Sequence, residues 1–182
     1  PRYRIVVTDV LDTVSAFVLS GSVKKNSPPS APVIGCPVNG SSTYNTTPRF
    51  MITTGIEPDG QTQIAEVKID SGFWHNSVDK PDMFSTSGHL GNGVKTMYQS
   101  AALAAGNHTV TFQCLDSDIG SSSPEVIRTF TVLPSPFAEI TANVTHVQAG
   151  HILTLRTAVN AVRAFYNLSP VLWGDEIVSG RT

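Results

Sequence analysis

Charge is what this sequence has least of. Asp, Glu, Lys and Arg make up 14% of its 182 residues, against roughly 25% in soluble domains. Ser, Thr, Asn, Gly and Pro take up the difference. A surface that is polar but weakly charged suits extracellular proteins and particle components better than cytosolic enzymes. The net charge of −2 and a single basic doublet, Lys24-Lys25, exclude the electrostatic footprint of nucleic-acid binding. No apolar run approaches the ~18 residues of a membrane span, and no stretch has the pattern of a signal peptide, so membrane insertion is not expected. Catalytic punctuation is also missing. There is no Gly-x-Ser-x-Gly elbow, phosphate loop or dinucleotide fingerprint. Asp79 and Asp82 flank a Lys-Pro turn, and that spacing gives no evidence for a glycosidase pair. The expectation is a chain with no enzymatic activity and no cofactor.

Cysteine is scarce too, with Cys36 and Cys114 far apart. Neither has a histidine at zinc-ligand spacing. Two outcomes stand open: a disulfide closing a long loop, worth ~4 kcal/mol in the chain-entropy picture, or two core thiols. His146 and His151 straddle a strand-to-helix junction without the i,i+4 spacing of a helical metal pair; His151 reads as a helix-start residue. Glu57, Asp59, Asp116 and Asp118 sit at strand ends. Turn chemistry accounts for them, and a calcium site in oxygen-rich loops is the alternative. No metal site is expected. Five Asn-x-Ser/Thr sequons, at Asn39, Asn45, Asn107, Asn143 and Asn167, fit chance in a Ser/Thr-rich chain.

What the sequence does have is alternation. Residues 1–26 read as a hairpin, Tyr3 to Asp9 returning as Val14 to Val23, whose pattern matches that of Thr109 to Val132, with Asp9 aligned on Asp116. They are expected to be the last two strands of a preceding, truncated module, since the chain opens abruptly on Pro1. A proline-rich linker, Asn26 to Pro32, follows. Strand signals then recur at Val33–Cys36, Pro48–Thr53, Gln63–Asp70, Val94–Ser100, Thr109–Leu115 and Val126–Val132, with a short extra strand near Phe73–His75. Six or seven strands with turn-rich connections over residues 27–133 predict an antiparallel β-sandwich. Alternation puts Phe50 and Ile52 on one face, groups Ala65, Val67 and Ile69, and aligns Val110, Phe112 and Cys114. Phe73, Trp74, His75 and Tyr98 are the candidates for an aromatic platform binding a sugar or a protein, the plainer role for Trp74 being a lid on the core.

The stretch from Pro28 to Trp74 resembles the opening of an immunoglobulin-like or fibronectin type III-like module of bacterial and phage surface proteins. The Pro-rich entry, Thr47-Pro48-Arg49, the Glu57-Pro58-Asp59-Gly60 turn and the Gly72-Phe73-Trp74 close of the third strand carry the likeness. It implies fold and is nearly silent on function. The cysteines depart from the inter-sheet pair of antibody domains.

Beyond a second proline linker, Leu133 to Pro136, residues 134–182 are expected to form a small separate module with one amphipathic helix at about 149–167. Ile152, Leu155, Val159, Val162 and Tyr166 step by three and four and make one stripe. Asn167, Leu168 and Pro170 supply a stop. Glu139 to Thr145 is echoed by Glu176 to Thr182, a separation typical of stacked units. The stretch from His146 to Trp173 resembles a small module of phage and prophage tail-fibre-like proteins and clostridial surface proteins, with Gly150 between Ala149 and His151. Together these likenesses imply a mainly β structural or adhesion segment of a tail-associated fibre or baseplate protein, located on the virion. The alternatives are a secreted bacterial surface adhesin or a carbohydrate-binding accessory module. The implied partners are other subunits of the assembly, further copies of the chain, and a host-cell glycan or protein. The helical stripe is expected to pack within its own module.

Overall fold

The computed structural model describes residues 5–8, 14–17, 26–118, 120–136 and 148–174. The chain begins with a hairpin of β1 (Ile5–Thr8) and β2 (Val14–Phe17), paired antiparallel from Ile5 opposite Phe17 to Thr8 opposite Val14. Two sheets follow. One has three strands in the order β3 (Val33–Cys36), β5 (Arg49–Thr53), β8 (Lys95–Gln99). The other has five, in the order β4 (Ser41–Thr43), β10 (Val126–Val132), β9 (Gly106–Asp116), β6 (Gln63–Ile69), β7 (His75–Asn76). All neighbours are antiparallel except β4 and β10, which run parallel with Phe130 opposite Ser41. This is an immunoglobulin-like β-sandwich with one helix, α1 (Ala149–Phe165).

The expected strands of the sandwich form within a residue or two of their predicted limits, apart from β9, which begins at Gly106, three residues before Thr109; the expected hairpin limits beyond Ile5–Thr8 and Val14–Phe17 lie outside the described residues. The inner faces are those that alternation picks out: Phe50 and Ile52, Ala65 and Val67, Val110, Phe112 and Cys114, and Phe130 and Val132 are all buried. Strand β4 was not expected. Its three residues follow an Asn-Gly pair and have the composition of a turn. They are held at the sheet edge by main-chain bonds on both flanks, Gly40 N–H to Thr129 O at 2.7 Å and Leu133 N–H to Thr43 O at 2.7 Å. The first strand of the sandwich is therefore split, β3 serving one sheet and β4 the other. Gly55 is a position where a side chain cannot enter: a Cβ there would stand 2.1 Å from the Ser30 carbonyl oxygen.

The ends of α1 follow local chemistry. His151 Nδ1 accepts the Gln148 N–H at 3.0 Å and so caps the first turn. At the other end Asn167 takes φ +57°. Leu168 N–H bonds Arg163 O at 2.8 Å and Asn167 N–H bonds Ala164 O at 3.0 Å, the paired bonds of a Schellman motif. The chain then doubles back. Asn160 bonds both main-chain groups of Val171, at 2.7 and 3.2 Å, and Arg163 Nε donates to Ser169 O at 2.6 Å. These side chains hold the returning segment against the helix.

The separateness expected of residues 134–182 needs correction for the helix. Phe165 is fully buried in the sandwich core, 5.6 Å from Phe130 and 6.3 Å from Phe50, centroid to centroid. Val38 N–H donates to Phe165 O at 3.1 Å and Arg49 N–H to the Tyr166 hydroxyl at 3.2 Å. The expected stripe is corrected with it. Ile152 and Leu155 are 40% and 48% exposed, Val159, Val162 and Tyr166 half-buried, and the buried pair is Ala158 and Phe165. The helix docks by its last turn, so the stripe that counts is rotated from the one with the regular spacing. The echoing stretches 139–145 and 176–182 lie outside the described residues.

Removing the Phe165 ring tests this docking. Phe165→Ala is expected to destabilise the whole sandwich by about 3–5 kcal/mol, read as a lower urea midpoint for loss of β-structure. Unchanged melting of the β-signal would mean that the helix is an independent unit.

Candidate functional site

The four aromatic candidates come to the β7 edge of the five-stranded sheet but do not form one platform. β8 alternates with Thr96 and Tyr98 inward, so Tyr98 is a core residue, 2% exposed, stacked on Phe50 and 5.2 Å from Phe84. Burial pushes its hydroxyl pKa up to about 12. The hydroxyl bonds His75 Nδ1 at 2.7 Å, so His75 closes over it as a lid. Trp74 is half-buried, with Lys68 Nζ 4.5 Å from the centre of its ring. That ammonium occupies one face on which a sugar would stack. Phe73 alone is open, at 89% exposure.

Among the described residues the largest apolar exposure is on α1 and the segment after it. Ile152, Leu153 and Leu155 are joined by Leu172 at 90% and Trp173 at 42%. Further along the helix, Ala158, Val159, Val162 and Arg163 line an open apolar depression of about 300 Å³. The Trp173 ring lies 5.1 Å from the Arg156 guanidinium carbon. Leu153 and Leu172 were missed as candidates because neither falls on the regular three-four stripe.

Both cysteines are buried free thiols, which closes the disulfide alternative. They sit on different sheets, Cys36 in β3 and Cys114 in β9. Burial pushes the Cys36 thiol up against the smaller effect of its Met51 N–H bond. Burial likewise holds Cys114 up at about 11. His146 lies outside the described residues. Among the described residues no three His, Cys, Asp or Glu side chains are grouped to hold a metal ion, and no helix is long and apolar enough to cross a membrane.

The acidic residues at strand ends do gather at one corner. Asp59 Oδ2 accepts the Ser27 N–H at 2.5 Å, and Asp116 accepts the Asn26 side-chain amide. Gln61 donates to Asp118 at 2.7 Å. At the opposite end Asp70 and His108 pair. His108 Nδ1 lies 2.8 Å from Asp70 Oδ2 and Nε2 lies 2.9 Å from Ala104 O. Both ring nitrogens face acceptors, which only the doubly protonated imidazolium satisfies.

No family model matches the chain, and no curated protein matches it. A solved structure is similar in part. The PKD domain of an M14-like peptidase from Thermoplasmatales archaeon SCGC AB-540-F20 aligns over 61% of this chain and 100% of its own length, with 17% identity and a TM-score of 0.45.

Two measurements check the site chemistry. In the folded protein neither thiol is expected to react with an aqueous disulfide reagent, whereas both react once the chain is unfolded; an intact mass short of two hydrogens would contradict this. For His108, burial lowers the imidazole pKa, but the Asp70 carboxylate and Ala104 carbonyl outweigh it, and the net direction is up. Its stabilisation is therefore complete below the unfolded value of about 6.5 and is lost as pH rises through the folded one. Urea midpoints are expected to fall over that interval, and Asp70→Asn to flatten the fall.

Proposed function

We propose that this chain is a non-enzymatic structural segment, a modular spacer with an attachment element, in a phage or prophage tail-associated fibre or baseplate protein on the virion. The observation that supports it best is the two-ended helix. Its last turn is fixed in the sandwich core through Phe165, while Ile152, Leu153 and Leu155 at its other end are left apolar and exposed. A helix anchored in a rigid domain pays little ordering entropy when a partner covers its free face. The partner is another subunit of the assembly, with a second copy of this chain the simplest case. The role is the same in a secreted bacterial surface adhesin, and the residues of the helix carry both settings equally.

Sedimentation equilibrium tests the attachment element. The purified chain is expected to self-associate reversibly, and Leu155→Glu to return it to monomer without shifting its melting temperature, because Leu155 makes no core contact. A chain that remains monomeric at high concentration, or one that cleaves peptidoglycan or polysaccharide, would overturn the reading.

A further inference from the structure

Three buried oxygens on one stretch of chain have nothing donating to them. Glu57 is 2% exposed; its Oε1 accepts the Asp59 N–H at 3.0 Å, and its Oε2 has no partner. Gln63 is fully buried and its Oε1 has none. Gln61 Oε1 is also buried and unpartnered. Leaving such groups unmet is costly, most of all for a charged one.

The amide orientations are fixed by their surroundings, so these orphans are not misassigned nitrogens. Asn92 Oδ1 accepts the Glu57 main-chain N–H at 2.8 Å, which cannot be anything but a donor. The same oxygen takes Gln63 Nε2 at 2.7 Å, and Gly55 O takes it at 2.9 Å. Turning the Gln63 amide over would set its oxygen against two acceptors. Gln61 Nε2 faces the Asp118 carboxylate, which fixes that amide too.

The three side chains belong to one corner. The β6–β9 ladder pairs Gln63 with Asp116 and continues through the Ser117 N–H to Thr62 O bond, and Gln61 reaches Asp118 just beyond that end of β9. Asn92 ties Gln63 to Glu57. Among the described residues no Lys or Arg pairs with Glu57, Asp59 or Asp118; the His108–Asp70 ion pair lies at the opposite end of the ladder.

We propose that this corner binds a calcium ion through the Glu57 carboxylate and the side-chain oxygens of Gln61 and Gln63, water completing the shell. Calcium takes mixed carboxylate and amide oxygens in flexible geometry, whereas magnesium demands a near-ideal octahedron and gives up water reluctantly. With one carboxylate as the charged ligand, affinity falls in the range of extracellular modules, a Kd of roughly 0.1–1 mM. The ion would stiffen the point where the chain enters the sandwich, because Asp59, next to Glu57 in the turn, holds the Ser27 N–H.

The test is calorimetric titration of the chelator-stripped full chain with calcium chloride, alongside melting curves with calcium, magnesium or chelator. A saturable binding heat and a rise in melting temperature with calcium are expected, and a much smaller rise with magnesium. Glu57→Gln should abolish both calcium effects while melting no lower than the stripped wild type. Should that variant fail to fold, Gln61→Met removes a less buried ligand and is expected to weaken binding about tenfold. No heat and no shift at millimolar calcium would overturn the proposal. Full retention of the shift in Glu57→Gln would overturn it as well.

Discussion

The ring of Phe50 sits where both sheets and the helix meet. It stacks on Tyr98 from its own sheet and meets the edges of Phe112 and Phe130 from the other, while Phe165 reaches it from α1. Four aromatic neighbours at 5.5 to 6.3 Å do more than bury area. Ring pairs of this kind have preferred tilts and add about 0.5–1.5 kcal/mol each beyond burial, so they fix how the layers are set against one another. The position of the helix follows. With Phe165 held between Phe50 and Phe130, the last turn of α1 has one place to go, and the edge strand β4 beside it is the first element it covers.

Much of the sandwich was legible because a strand half-buried in a core must alternate, and these strands do. Phe50 and Ile52, or Val110, Phe112 and Cys114, declare their face without further information. β4 was not legible: three residues of Ser and Thr beside an Asn-Gly pair contain no period to read. Its parallel pairing with β10 is a tertiary fact, supplied by Asn39 accepting the Thr129 N–H and by main-chain bonds from distant strands. The docking of α1 was hidden for a related reason. Regular three-four spacing identifies a stripe, but it does not say which stripe meets a partner. Ala158 and Phe165, seven apart and poorer in apolar neighbours, fit the space beside β4 that a row of branched side chains does not.

The candidate platform failed on the same distinction between composition and direction. Phe73, Trp74 and His75 sit together in sequence, and Tyr98 has the right chemistry to join them, yet the alternation of β8 points Tyr98 into the core. His75 follows it to satisfy the buried hydroxyl. The acidic corner shows the converse. Its carboxylates were visible as strand-end residues, whereas the informative groups there are Gln61 and Gln63, whose uncharged amides carry no signal in a sequence. Only the burial of an acceptor with no donor distinguishes them from ordinary polar residues.

These features place much of the unsatisfied chemistry of the described residues at two separate points. Polar frustration lies at the entry corner, where the chain from residue 26 meets the turn at Glu57 and the end of β9. Apolar frustration lies at the free end of α1, beyond the reach of the Phe50 cluster. Between them most buried polar groups are paired, the Ser41 and Ser100 hydroxyls excepted: even the outward-facing Glu66, whose carboxyl burial holds above the usual range, accepts the Gln113 amide at 2.6 Å. In the proposed role as a link in a chain of parts, this division leaves most of the interior settled and the two extremities free to be met by neighbours. Neighbours then have something to gain by joining it, and the sandwich itself does not have to change shape when they do.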